Sequence, residues 1–177
     1  MTYHLQLITP PAVEPLTTAE AKAYLYESGT AQDGVIAGLI KTAREMAEAI
    51  TRRALLTQVW QLDGEGQLYR LPLPLWPLQA VEAVTVGGVT LAPSEYKVLL
   101  GDGAELRLYS PRCGDWTVRI RCGYGAAASA VPQTLRDWMG IKVNTLFEHR
   151  EEIAVGTIVS EFKHVERMLD AYRVPQL

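Results

Sequence analysis

The sequence predicts an α+β protein: a helical core, with two N-terminal and two C-terminal helices, and an antiparallel β module inserted between them. Three observations carry this reading. Apolar residues recur at three- and four-residue steps in segments 33–53 and 132–149. Between them, from Leu55 to Cys122, short β-rich runs alternate with glycine turns. No βαβ unit is visible, and strands spaced this closely imply an antiparallel sandwich or small barrel.

Each element has a local reason. Pro10, Pro11 and Pro15 disfavour helix over 1–16, which reads as an extended arm. Its apolar residues Leu5, Leu7 and Ile8 are suited to a sheet edge or a neighbouring subunit. Thr17 and Glu20 form a T-x-x-E capping box that opens the first helix, and Gly29 is its expected left-handed stop. Asp33 is the expected N-cap of a longer helix to about Arg53, with Ile36, Leu39, Ile40, Ala43, Met46, Ala47 and Ile50 on one face. Lys41–Glu45 and Glu48–Arg52 are four apart on the other.

Strands follow from Leu55 onward. Gly64-Glu65-Gly66 reads as a turn, and Leu68–Leu71 as the next strand. Gly87-Gly88 marks a hairpin between Val81–Val86 and Val89–Leu91, since both glycines suit positive φ. Gly101-Asp102-Gly103 separates Tyr96–Leu100 from Leu106–Tyr109, and Trp116–Cys122 is the last strand. Pro132 restarts the helix, with Leu135, Trp138, Met139, Val143, Leu146 and Phe147 inward. A final short helix is expected from Ser160, with Phe162, Val165, Leu169 and Tyr172 inward. The chain thus divides into an arm (1–16), helices (17–54), a β insertion (55–122) and helices with a tail (123–177), together one structural domain.

Composition narrows the function classes. The 177 residues are 48% hydrophobic and 21% charged, so a packed domain is expected rather than disorder. A net charge of −3 argues against a module that grips DNA by phosphate neutralisation. The N-terminal stretch lacks the pattern of a secretory signal, and no run of apolar residues is long enough to span a bilayer. A cytoplasmic protein, or one assembled into a particle there, is the expectation, with no membrane partner.

No catalytic or cofactor constellation emerges. Cys113 and Cys122 are too far apart for a zinc knuckle and read as two small buried thiols. Gly123-Tyr124-Gly125-Ala126-Ala127-Ala128 matches G-x-G-x-x-A, but the next helix opens only at Pro132, too late to place its N-terminus on a pyrophosphate. His149 lies in a charged stretch, and no serine sits in a nucleophile elbow. Arg119 and Arg121 share a strand face that could meet phosphate or an acidic partner, or simply pair with surface charges. No catalytic residue, metal ligand or cofactor is expected.

Six segments carry a resemblance: Thr17–Tyr24 (TTAEAKAY), Thr51–Trp60 (TRRALLTQVW), Leu71–Val81 (LPLPLWPLQAV), Tyr96-Lys97-Val98, Gly123–Trp138 (GYGAAASAVPQTLRDW) and Leu146–Glu151 (LFEHRE). In this order, over residues 15–173, they resemble the head–tail connector family of tailed phages and prophages, also called adaptor or head completion proteins. Gene transfer agents carry similar proteins. The sequence departs from the pattern at Arg53, where a small residue or glycine is expected.

The resemblance implies a homo-oligomeric ring of twelvefold symmetry between the portal protein and a downstream stopper or tail protein. Genome DNA would pass through the lumen without specific binding. The expected portal contact is the C-terminal segment: Phe162, Val165, Leu169, Tyr172, Arg173, Val174 and Leu177. The expected subunit contact is Leu5, Leu7 and Ile8. A stopper, a tail terminator, a DNA-packaging accessory protein and a β-barrel enzyme are the competing classes.

Overall fold

The computed structural model describes residues 2–101, 103–149, 165 and 167–174. It divides into two compact units, one from Met1–Ala12 and Leu56–Ala126, the other from Val13–Leu55 and Ala127–Leu177. The first is built of strands and the second of helices, so the α+β class holds.

In the β unit the strands are β1 (Tyr3–Thr9), β2 (Gln58–Gly64), β3 (Gln67–Pro72), β4 (Leu78–Val86), β5 (Val89–Thr90), β6 (Tyr96–Leu99), β7 (Glu105–Cys113) and β8 (Trp116–Cys122). Five form a sheet in the order β1-β2-β8-β4-β5, and three form a second in the order β3-β7-β6. All pairings are antiparallel. The arm residues Tyr3–Thr9 pair with β2 from Tyr3↔Gly64 to Thr9↔Val59. Along β8, Trp116, Val118, Ile120 and Cys122 are buried while Arg119 and Arg121 face out, the period-two pattern of a sheet with one buried face.

The expected turn at Gly64-Glu65-Gly66 is a bend in a continuing strand. β2 meets β8 at Gly64↔Trp116, the Gly114 N–H donates to the Gly66 carbonyl at 3.1 Å, and β3 meets β7 at Gln67↔Cys113. The register is unchanged across the bend, so one antiparallel ladder passes from the first sheet into the second. Gly66 and Gly114 supply the bend with φ of 91° and 132°, which side-chain-bearing residues rarely adopt. Gly64 leaves room for the Trp116 indole, since a Cβ there would lie 2.3 Å from the ring. The Gly87-Gly88 hairpin forms as expected, with both φ positive and Val86 opposite Val89.

The helical unit contains α1 (Thr18–Leu25), α2 (Asp33–Thr51) and α3 (Gln133–Glu148). The Thr17 hydroxyl accepts from the Glu20 N–H at 3.1 Å, and the Thr17 N–H donates to the Glu20 carboxylate at 2.8 Å, closing the predicted capping box. The stop of α1 is Tyr26 in the left-handed region (φ 53°), not Gly29. Asp33 begins α2 as its first residue rather than its cap, because its carboxylate is engaged by Lys22 at the end of α1. α2 stops at Arg52, which turns left-handed at φ 58°.

Two further expectations are corrected. Ile50, expected inward, is exposed. The expected pair of two N-terminal and two C-terminal helices is also not found: three α-helices are present among the described residues. Of the helix expected over Ser160–Arg173, 160–164 and 166 lie outside the described residues, and the described part ends in a single 3-10 turn, Asp170–Tyr172.

Packing in this unit is tight and partly polar. Ile36, Ile40, Ala43 and Ala47 of α2 are buried, as are Leu135, Trp138, Met139 and Val143 of α3. Gly140 of α3 lies against the Tyr24 ring of α1, where a Cβ would be 2.5 Å away. The centre also holds a charge. Arg44 is only 5% exposed, and it donates at 2.8 Å to Glu14 through Nε and at 2.8 Å to Glu48 through Nη1. The second Glu48 oxygen accepts the Leu55 N–H at 2.8 Å. Burial by itself lowers the Arg44 pKa, but the two carboxylates outweigh it and the net shift is upward.

Removing one partner of such a group strands the others. Arg44→Ala should therefore destabilise the protein by about 3–5 kcal/mol, as broken buried ion pairs do. Arg44→Met combined with Glu14→Gln and Glu48→Gln should recover much of the loss. Urea melts of the three proteins check this, and an Arg44→Ala midpoint equal to the parent's would refute it.

Candidate functional site

The residues that could carry chemistry do not converge. Among the described residues no group of three His, Cys, Asp or Glu side chains is placed to hold a metal ion. Cys122 is buried, with Sγ 3.9 Å from the Gln58 carbonyl, whereas Cys113, expected to be buried, is exposed at the end of β7. The β7 strand runs past the core there, into the bend where its side chains leave the interior.

Gly123 is explained by packing. Its φ is 126°, and a Cβ would lie 2.3 Å from the Leu56 carbonyl oxygen. The neighbouring Gly125 carbonyl accepts the Thr57 N–H at 2.9 Å. The glycines thus let two backbone segments cross closely, and a 3-10 turn at Ala128–Ala130 precedes α3.

A shallow, open groove is lined by His4, Asp63, Glu65, Asp115 and Trp116. Asp63 there is committed to the fold, accepting from Thr117 Oγ1 at 2.7 Å and from the Gln61 amide at 3.0 Å. His149 follows the end of α3, its N–H donating to the Thr145 carbonyl, and His164 lies outside the described residues.

The charged faces are largely paired. Arg121 is bonded to Glu82, and Arg119 Nη2 donates to Gln61 Oε1 at 3.2 Å. On the smaller sheet Arg70, Arg107 and Lys97 stand opposite one another in register, with Glu105 bridging Arg70 at 3.8 Å and Arg107 at 3.3 Å. Single pairs of this exposed kind contribute little to stability.

The proposed contact residues divide by burial. Leu7 and Ile8 are each 39% exposed on β1, and Leu5 is half-buried. In the C-terminal segment Leu169 and Val174 are buried within this chain, while Arg173 is exposed. The segment is tied down by its backbone: the Tyr172 carbonyl accepts from Arg53 Nε at 2.8 Å, and the Val174 N–H donates to the Thr51 carbonyl at 3.2 Å. Arg53 thus holds the C-terminal segment, which gives a reason for arginine at that position. Val165 and Tyr172 are half-buried. Phe162 and Leu177 lie outside the described residues.

Sequence reasoning missed two organising arginines. Arg44 occupies a position on the apolar stripe of α2, four after Ile40, and a charge on such a stripe was the available signal. Arg136 gives no comparable signal. Its Nε donates to the Pro15 carbonyl at 3.0 Å and its Nη2 to Glu20, joining α3 to the arm and to the cap of α1. Tyr24 reaches Asp137 at 2.9 Å. Burial first, then that carboxylate, raises its phenol pKa.

No described helix is long and apolar enough to cross a membrane. No family model matches the sequence, and no curated protein matches it. The fold, however, is shared with solved structures. A chain from the neck of an empty gene transfer agent (GTA) particle, computed with C6 symmetry, superposes with a TM-score of 0.81 at 19% identity, covering 98% of this chain and 97% of that one. A chain from the virion of a native GTA particle gives 0.80 at 18% identity, covering 98% and 96%. A chain from the neck of a native GTA particle, computed with C12 symmetry, gives 0.78 at 17%, covering 98% and 97%. At these identities the likeness is one of fold.

The Glu20 cap supplies a pH test. The Thr17 N–H above all lowers its pKa; burial opposes this, and the Thr17 hydroxyl and Arg136 add to the lowering, so the net value lies below the ordinary 4.5. A depressed carboxylate stabilises the fold above its unfolded pKa, and that contribution fades as pH falls through the folded value. The difference in melting temperature between parent and Glu20→Gln should be largest near neutrality and shrink below pH 4.5. A difference that is constant with pH would contradict the assignment.

Proposed function

We propose that this chain is a head–tail connector of the adaptor type, a structural subunit of the neck of a phage or phage-like particle. The observation that carries the reading is the match in fold to a GTA neck chain over 98% of this chain and 97% of the other, at a TM-score of 0.81. Such breadth means that the whole architecture is shared, not one common module. The ordered sequence segments point the same way independently.

In this reading the chain works by association, not turnover. Copies form a ring through heterologous interfaces, which close when the rotation between neighbours fits. Twelve copies is the proposed number, in line with the twelvefold symmetry used for one of the similar necks. The ring sits between the portal protein and a stopper or tail protein. DNA passes through it, and the net charge of −3 suits a lumen that does not hold the genome. Subunits are made in the host cytoplasm and end in the particle neck.

The C-terminal segment is the proposed portal contact. Leu169 and Val174 anchor its base on this chain, leaving Phe162, Val165, Tyr172, Arg173 and Leu177 as the contacting set. The arm residues Leu5, Leu7 and Ile8 are the proposed subunit contact.

Two experiments test this. Particles produced without the chain should accumulate as DNA-filled heads lacking tails in electron micrographs; complete tailed particles would sink the proposal. Arg173→Glu combined with removal of residues 175–177, which spares the buried Leu169 and Val174, should leave the circular dichroism spectrum and melting temperature intact while abolishing retention on portal-bearing heads. Undiminished retention would reassign the portal contact.

A further inference from the structure

We infer that the outer edge of β1 pairs with the open edge of β4 in a second copy of this chain, so that the five-stranded sheet continues from subunit to subunit. This deepens the connector reading and rests on it.

The sheet has two unfinished ends. β1 has a partner strand only on its β2 side. At the other end β5 pairs only with Thr85 and Val86 of β4, and the Leu91 N–H takes the Val84 carbonyl. Residues Leu78–Ala83 therefore have no strand on their outer side among the described residues. This open stretch is roughly 20 Å long at the rise of an antiparallel strand, a length that β1 matches.

Unpaired strand edges recruit other strands unless charge, proline, a bulge or a covering segment blocks them. β1 reads YHLQLIT, with no Lys, Arg, Asp, Glu or Pro, and its one register shift lies at Ile8. It also presents Leu7 and Ile8, each 39% exposed. It carries none of the acidic, lysine, arginine or proline residues by which edges avoid association, and its register is regular from Tyr3 to Leu7.

Direction selects the partner. Each strand in β1-β2-β8-β4 is antiparallel to the next, so β1 and β4 run in opposite senses. Laying β1 of one copy beside β4 of the next continues the antiparallel alternation. Pairing β1 with another β1 would stop at two copies, whereas a cyclic ring needs two unlike, complementary surfaces on each subunit. The register shifts in β4, between Leu78 and Ala80 and between Val81 and Ala83, bend that strand. A sheet extended through it curves, as closure requires.

Hydrogen–deuterium exchange on the full-length chain, free and in isolated particle necks, tests the inference. Amides of 4–9 and 78–83 should both slow by about tenfold or more on assembly, because both edges become hydrogen-bonded. A Leu7→Lys/Ile8→Lys variant should keep its circular dichroism spectrum and melting temperature yet enter necks at a small fraction of the parent's level. Protection of 4–9 alone would assign β1 to a different partner and overturn the pairing. Necks that contain the chain with neither edge protected would also overturn it and leave the connector reading intact. Necks that lack the chain would instead remove the connector reading.

Discussion

A buried guanidinium constrains the helical unit. Arg44 lies in the middle of α2 with little access to water, so its five donors must be met by the protein itself. Glu14 reaches it from the segment before α1, and Glu48 from the next turn of α2. Glu48 in turn holds the Leu55 N–H, beyond the end of the helix. One charge thereby fixes the segment entering the unit, the helix, and the segment leaving it. Such an arrangement adds little net stability over an apolar core, but any departure from it leaves an uncompensated charge. It specifies geometry.

The β unit meets a different constraint. A sheet with one apolar face must cover that face, and this one does so by bending. The shared ladder of residues 58–72 and 105–122 passes through Gly64, Gly66 and Gly114 into the second sheet. Trp116 fills the inside of the bend at 2% exposure, and its indole occupies the space that a side chain at position 64 would need. The bend and the core are therefore one feature: the glycines permit the corner, and the tryptophan fills it.

These solutions engage several polar groups: Arg136, Arg53, Asp63, Glu48 and Glu20 each bond within the chain. In the proposed connector, the strand edge with its apolar residues and the C-terminal segment docked at its base are the surfaces for assembly.

Much of this was legible in the residues. The capping box at Thr17, the period of α2 and α3, the Gly87-Gly88 hairpin and the alternation of β8 all follow from interactions between near neighbours, which a linear sequence displays. The stops at Tyr26 and Arg52 did not announce themselves, because neither residue favours the positive φ it adopts. The bend at Gly64-Glu65-Gly66 looks like a reversal locally, since glycine permits both, and only the unbroken pairing with residues 113–116 distinguishes them. The sequence by itself determined the helical and strand segments and their apolar faces. Tertiary structure decided where helices end, which arginines are buried, and which strand edges stay open, because each depends on a partner that distance along the chain conceals.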